Sequence, residues 1–274
     1  MEFQRRKYKQ FALMQLKGRW KAAILATLIV LVVQFVFSIP GSRDPLTMDE
    51  IQYISGYTPM QLLSYLNETG RVTPGKSFFS LISDLISLVL AIATASLFLT
   101  YSRSPEPVGL KTFFEGFNKW GRGILAGLWQ GLWLFLWMAG AFVIGVVIIT
   151  VLAFIITDTE LYMAIAMLVI MLLMMVIAII KAIEYSHHML LVAEFPELGI
   201  MKALRISKLI TKGHRMDIFI TVLTYIGLLI LGMLPMFIGL LWVLPYIHLT
   251  NVNIYHALLK DALETEKLHP EDLN

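Results

Sequence analysis

The chain has 274 residues, of which 58% are hydrophobic and only 15% are charged, and its formal net charge is +3. A soluble domain carries about a quarter charged residues. The uncharged run from Gly123 to Ile156 exceeds the roughly 20 residues that a helix needs to cross a bilayer. The composition therefore excludes an ordinary water-soluble globule and predicts an all-α, polytopic membrane bundle. Because no cysteine is present, disulfides and thiolate metal sites are also excluded.

Six segments have the length and hydropathy of membrane spans, and we expect them to form three hairpins within a single membrane domain covering residues 1–274. The predicted spans are 20–39, 78–101, 123–150, 161–180, 218–234 and 236–255. Only a few residues around Pro235 separate the last two spans, which form either a tight hairpin or one broken, re-entrant element. We favour the hairpin.

The distribution of basic residues predicts the orientation. Of the 22 Lys and Arg residues, all but Arg43, Arg71 and Lys76 lie at the amino end, in the second or fourth connection, or in the tail. The positive-inside rule then places both termini in the cytoplasm, with an extracytoplasmic loop at 40–77 and a cytoplasmic tail at 256–274. The opposite side is acidic, with Asp44, Asp49, Glu50, Glu68, Asp158 and Glu160.

A similar glycine-and-arginine sequence enters the first, third and fifth spans. These sequences, at 16–20, 119–123 and 212–215, are called elbows below, and an amphipathic stretch precedes each of them. The pattern predicts a cytoplasmic surface helix, a turn at the glycine and then a pair of spans. Two explanations remain open: an internal duplication of the sequence, or three separate sequences that each make the same turn from a surface helix into a span.

The stretch before the third elbow carries basic residues on one arc of a helix, namely Lys202, Arg205, Lys208 and Lys212. Basic helices at a membrane surface attract anionic lipids. We therefore predict a lipid-facing helix that contacts the inner face of the bilayer, with specific head-group or protein binding as the sharper alternative. Nucleic-acid binding is not expected, because the basic residues lie beside the ends of spans.

Four residues within the spans are candidates for binding a ligand or an ion: Asp84, Gln130, Trp129 and Trp133. A carboxylate within a span is costly, so Asp84 either binds a proton, a cation or an amine, or reaches the head-group zone. Trp129, Trp133 and Trp137 recur at every fourth residue and form either an aromatic groove or a lipid-facing packing surface. Gln130 is neutral and also suits hydrogen bonding between helices.

A polar cluster is predicted near the inner ends of the fourth and sixth spans, formed by Glu184, His187, His188 and His248. Glu184 shares a helix face with one of the adjacent histidines, as a metal pair would. The spacing completes no known metal motif, however, and the chain has neither a P-loop nor a GxSxG motif. We therefore predict no metal, no cofactor and no catalytic residue.

Small residues recur at helical spacing on two spans and predict close helix packing. Gly123, Gly127 and Gly131 form this pattern on the third span, and the second span carries Ser83, Ser87, Ala91 and Ala95.

Several sequence motifs resemble a known family. They are Leu16–Trp20 at the start, Tyr101–Arg103 and Gly121–Arg122 in the middle, and Ala193–Gly199 with Gly213–Arg215 in the second half. Together with Gly239–Trp242 and Pro245–Tyr246, they resemble the bacterial integral-membrane family called domain of unknown function 975. The resemblance implies a multipass protein of the bacterial plasma membrane and supplies no catalytic residues. One departure is Met233–Met236, where a turn rich in Thr and Gly is expected.

These observations favour a non-enzymatic membrane protein that acts as a component of the cell envelope or in complex assembly, with a membrane protein as a possible partner. The alternative is a small permease or a lipid- or amphiphile-binding protein with a cavity near Asp84. An intramembrane enzyme acting through Glu184 and the histidines is the third hypothesis.

Overall fold

The computed structural model describes residues 3–38, 47–54, 56–69, 74–106, 108–153 and 159–273, and all the regular structure in these ranges is helical. The predicted outer acidic residues Asp44 and Asp158, and parts of the predicted loop 40–77, lie outside the described residues.

The described helices follow the predicted order, and two short helices occupy the first long connection. The helices are α1 (Arg5–Leu16), α2 (Trp20–Ser38), α3 (Met48–Ile54), α4 (Pro59–Glu68), α5 (Pro74–Arg103), α6 (Leu110–Glu115), α7 (Trp120–Ala153), α8 (Thr159–Glu184), α9 (His188–Glu194), α10 (Ile200–Thr211), α11 (Arg215–Met233) and α12 (Leu240–Glu264). A 3-10 turn, Gly116–Lys119, joins α6 to α7, and a second one, Pro270–Leu273, follows α12.

Five regions of the described helices are long and apolar enough to cross a membrane: Trp20–Phe37, Phe78–Arg103, Leu110–Leu152, Leu168–Glu194 and Arg215–Met233. Each overlaps one of the first five predicted spans, although the third and fourth regions have different bounds from the predicted 123–150 and 161–180. The sixth predicted span, 236–255, does not meet this standard, because α12 carries His248, Thr250, Asn251 and Asn253 near its middle. A sixth span therefore stays a prediction.

The connection between α11 and α12 is a tight turn at residues 234–239. Two glycines let the chain close: the carbonyl oxygen of Gly232 would lie 2.7 Å from a Cβ atom at position 239. Met236 and Phe237 have φ angles of 48° and 66°, which side chains with a Cβ rarely adopt. The departure from the expected Thr/Gly-rich turn thus leaves two bulky residues in the left-handed region.

The buried core lies at one end of the helices, which we call the packed end. It comprises α1, α6, α9, α10, the second half of α12 and the adjoining ends of α2, α5 and α7. Its fully buried side chains include Leu16, Phe113, Leu191, Leu198 and Tyr255. At the opposite end, the outer segments of α7 (residues 132–153), α8 (168–180) and α11 (222–233) expose most of their large apolar side chains.

The glycine pattern on α7 packs against α5. A Cβ atom at Gly123 would lie 2.6 Å from Cγ2 of Ile92, and one at Gly127 would overlap Leu88. Gly131 has open space around it. Two of the three predicted glycine contacts therefore bring α5 and α7 close together, but their partners are Leu88 and Ile92 rather than the small residues of α5.

Candidate functional site: a central cavity beside a buried ion cluster

The first elbow ties the start of α2 to the end of α5. Arg19 donates hydrogen bonds to the backbone carbonyls of Tyr101 (3.4 Å), Ser104 (2.6 Å) and Glu106 (3.1 Å), and the Tyr101 hydroxyl donates back to the carbonyl of Arg19 at 2.9 Å. The last carbonyls of a helix have no partner within the helix. The guanidinium therefore caps α5 and joins the start of α2 to the end of α5.

The second elbow caps the end of α9 in the same way. Lys119 donates to the carbonyl of Ala193 at 2.6 Å, and Arg122 donates to the carbonyls of Phe195 (3.1 Å) and Leu198 (2.7 Å). The backbone differs from the first elbow, because Gly121 lies within α7 whereas Gly18 and Gly213 adopt φ angles of 77° and 96°. The predicted turn at the middle glycine is therefore wrong, and the chain instead bends through the 3-10 turn before α7.

The arginine of the third elbow, Arg215, is part of a buried ion cluster. Arg215 lies 2.6 Å from Oε1 of Glu184, and Lys181 donates to Oε2 of the same carboxylate at 2.8 Å. The backbone carbonyl of Glu184 accepts a bond from Ser207 on α10 at 2.8 Å. The Lys181 ammonium also lies 3.7 Å from the ring centroid of Trp137. Because Glu184 is 2% exposed, these contacts compensate the cost of burying its charge.

The two histidines after Glu184 occupy different environments. Nε2 of His188 lies 3.2 Å from the carbonyl of Ile200, and Nδ1 lies 3.2 Å from the side-chain amide of Gln130. A neutral ring donates from one nitrogen only. If Nε2 donates to Ile200, the amide of Gln130 must present its NH2 group to Nδ1. His187 is buried against Tyr255, and its ring nitrogens have no hydrogen-bond partner among the described residues.

A cavity of about 420 Å³ lies between α2, α5, α12 and the residues around the start of α9. Its polar lining consists of Gln34, Ser87, Thr94, Ser186, His248 and Asn251. Its apolar lining includes Leu90, Ala91, Ala95, Phe98, Met189 and Leu190. We call it the central cavity. Its volume falls within the range of small-molecule sites.

The small residues of α5 leave room for the central cavity. Ser87, Ala91 and Ala95 of the predicted small-residue pattern form part of its wall. The opposite wall is held in place by α12, where the His248 ring stacks on Phe98 with centroids 5.2 Å apart and Asn251 accepts a 3.0 Å bond from Tyr225. The predicted packing face of α5 is therefore, for these three residues, a cavity wall.

The structure separates the predicted ligand residues. Asp84 is exposed on α5, one turn before Ser87, and lies outside the lining of the central cavity. Gln130 binds His188, whereas Trp129 and Trp133 line a smaller cavity against α10. In the predicted polar cluster, Glu184, His187 and His188 adjoin one another along the chain, but His248 faces the central cavity.

Three lining residues of the central cavity were not predicted from the sequence: Thr94, Ser186 and Asn251. The polar run Thr250, Asn251 and Asn253 within a predicted span was a usable signal, since such groups in a membrane helix face the protein or a cavity. Thr94 carries no comparable signal, because an isolated threonine in a membrane helix bonds readily to its own backbone.

Comparison with known proteins gives one family. No curated protein and no solved structure matches the chain. A family model described as a protein of unknown function (DUF975) matches residues 1–262, which confirms the resemblance found in the sequence. Together with the five apolar helices, it indicates a membrane protein of unknown function. The chain therefore belongs to the family of proteins of unknown function DUF975.

Proposed function

We propose that this chain is a non-enzymatic multipass protein of the bacterial plasma membrane that binds an amphiphilic molecule in the central cavity. The observation that carries the proposal is the lining of that cavity, which combines hydroxyl, amide and imidazole groups with Leu90, Phe98, Met189 and other apolar side chains. Ligand sites commonly have this composition, with a few polar groups orienting a mainly apolar molecule.

The chemistry of the lining favours an amphiphile over a bare ion. Among the described residues, the lining contains no carboxylate, lysine or arginine, so it has no fixed charge to replace the hydration of an ion. Hydroxyl and amide groups suit a neutral or weakly polar head group, while the apolar side chains suit a hydrocarbon chain. Asp84 stays a predicted ion-binding residue without a described place in this cavity.

Glu184 and His188 lie on either side of the lining residue Ser186 along the chain, and other protein groups hold both, which supports a non-enzymatic role. The Glu184 carboxylate is held by Lys181 and Arg215, and His188 is held by Gln130 and Ile200. A general base must be free to reach a substrate proton. These groups are instead engaged in contacts that join α7, α8, α9, α10 and α11.

The orientation proposed from the sequence also accords with the position of the elbows. Arg19, Arg122 and Arg215 all lie in or beside the packed end, which would then face the cytoplasm. We place the binding role ahead of the assembly role because the central cavity is a specific feature. Exposed apolar faces are common to all helices that lie in a bilayer.

Thiol accessibility in the cysteine-free chain tests the binding role. We expect the variant Thr94→Cys, in the purified full-length chain in detergent, to react with a small maleimide, because a thiolate in the cavity is accessible to water. Oleate serves as the amphiphile and should slow this reaction several-fold. The control is Ser64→Cys on α4, whose side chain is exposed and is not part of the cavity lining.

Three outcomes would contradict the proposal. The first is that the Thr94→Cys variant does not react with the maleimide in the absence of oleate, which would mean that no accessible cavity exists. The second is a reaction that oleate leaves unchanged. The third is that oleate slows the maleimide reaction equally in the Thr94→Cys and Ser64→Cys variants, which would mean that oleate acts through the detergent micelle and not through the cavity.

A further inference from the structure

A second cavity, of about 230 Å³, lies where the tryptophans of α7 meet the basic face of α10, and we call it the tryptophan groove. The α7 side contributes Trp129, Trp133 and Trp137, and the α10 side contributes Arg205 and Lys208. Two features that the sequence presents separately, an aromatic row and a basic helix, therefore form the walls of one site.

The geometry of the two helices explains this meeting. Residues at every fourth position share a helix face, and the rings of Trp129 and Trp133 are 6.1 Å apart at an interplanar angle of 77°. Helix α10 buries Ile206 and Ile210 in the packed end. Arg205 and Lys208 consequently lie on its exposed side, three residues apart, and face the indoles.

The charge of the tryptophan groove is positive and uncompensated within its described lining, which contains two cations and no carboxylate. The nearby Glu184 is already paired with Lys181 and Arg215. Lys202, on the same helix, lies 3.8 Å from Asp272 and does not line the groove. The two groove cations thus differ from Lys202, which has a carboxylate close to it.

We propose that the tryptophan groove binds the head group of one anionic phospholipid, with the phosphate at Arg205 and Lys208 and the glycerol region against the indoles. The volume suits a head group rather than a whole lipid. The acyl chains would continue over the exposed side chains of Leu132 and Leu136, which are 47% and 49% exposed on α7. Tryptophan rings also favour the interface between head groups and hydrocarbon. This proposal does not rest on the central cavity.

Quenching of tryptophan fluorescence tests the site directly. The full-length chain, with Trp20, Trp120 and Trp242 replaced by phenylalanine, keeps only the three groove tryptophans. It is reconstituted in phosphatidylcholine vesicles that contain a small fraction of brominated phosphatidylglycerol or, in parallel, brominated phosphatidylcholine. We expect phosphatidylglycerol to quench more strongly at equal fractions, because it carries a net negative charge.

A charge-matched pair of variants separates binding from general attraction to the surface. Arg205→Gln with Lys208→Gln should lower the preference for phosphatidylglycerol roughly tenfold, since each basic residue contributes to anionic-lipid binding. Lys212→Gln with Lys260→Gln removes the same charge from exposed positions outside the groove and should lower the preference much less.

Equal quenching by the two lipids in the chain with its cations intact would overturn the proposal, whatever the behaviour of the variants. An equal loss of the preference for phosphatidylglycerol in both double variants would mean that the preference arises from the overall charge of the chain, which would also overturn the proposal. An absence of quenching by either lipid would mean that protein, such as a second copy of the chain, covers the groove. Relief of quenching by inorganic phosphate would identify a free anion as the occupant.

Discussion

The packed end and the outer segments contain similar apolar side chains, but different surroundings stabilise them. Leu191 and Leu198 at the packed end are fully enclosed by protein, whereas Phe135 and Leu231 in the outer segments are 68% and 62% exposed. Lipid chains are as apolar as leucine, so burial against protein gains little in a bilayer. The contacts that define this fold are therefore concentrated at one end.

The polar contacts differ between the two regions in the same way. At the packed end, the three arginines of the elbows bind helix-end carbonyls or a buried carboxylate. The outer segments include bonds between neutral groups, such as Tyr225 to Asn251 at 3.0 Å between helices and Thr150 to the carbonyl of Val146 at 2.9 Å within one helix. We therefore expect substitutions at the packed end to have the larger effects on stability.

The largest effect is expected at the buried ion cluster. Glu184→Gln leaves Lys181 and Arg215 without their shared counter-charge, and Lys181 is only 7% exposed. Loss of one partner from a buried ion pair costs about 3–5 kcal/mol, so we expect a chain that unfolds at much lower temperature in detergent. Thermal unfolding of the purified chain measures the change.

The control for this substitution is Glu264→Gln. Glu264 lies 3.6 Å from Lys260 on α12, and both side chains are exposed. An exposed pair of this kind contributes under about 1 kcal/mol. Comparable losses at positions 184 and 264 would mean that the ion cluster is not sealed from water.

A second pair of substitutions compares the two regions with the same chemistry. Leu191→Ala removes a fully buried side chain and should cost about 2–5 kcal/mol. Leu231→Ala removes a largely exposed side chain of α11 and should cost under about 0.5 kcal/mol. The free energy of unfolding in detergent measures both. A large loss at Leu231 would show that protein covers this outer segment.

Much of the fold was predictable, because the length of an apolar run and the bilayer thickness together determine where a span lies. Each of the first five predicted spans overlaps an apolar helical region. The sixth does not, because α12 serves two surroundings: Trp242 is exposed, whereas Leu249, Tyr255 and Leu258 are buried in the packed end. A hydropathy pattern alone does not distinguish a polar span from a helix that leaves the membrane.

The candidate sites were only partly predictable. The tryptophan row and the basic helix were visible separately, since each is a periodic pattern on one helix. Their meeting depends on how α10 folds back beside the end of α8, where Ser207 binds the carbonyl of Glu184. The contacts of Arg19 with three carbonyls near the end of α5 likewise join residues more than 80 positions apart. Sequence periodicity carries no information about such contacts.

The smallest expected effects test whether the three elbows are equivalent. Gly213 has a φ angle of 96°, so Gly213→Ala should destabilise the chain by about 1–2 kcal/mol. Gly121 lies within α7, and nothing surrounds the position that its Cβ atom would occupy. Gly121→Ala should therefore stabilise the helix by up to about 1 kcal/mol. Thermal unfolding measures the stability of both variants. Gly18→Ala should also destabilise the chain, as Gly213→Ala does, because the φ angle of Gly18 is 77°.

Stability changes of opposite sign in Gly121→Ala and Gly213→Ala would show that the same sequence pattern adopts two different backbone conformations. The arginine would then be the common element, because Arg19, Arg122 and Arg215 each bind an acceptor on another helix or the turn that follows it. Destabilisation of similar size at all three glycines would contradict this view. It would mean that the middle elbow also turns at its glycine, as the sequence pattern alone predicts.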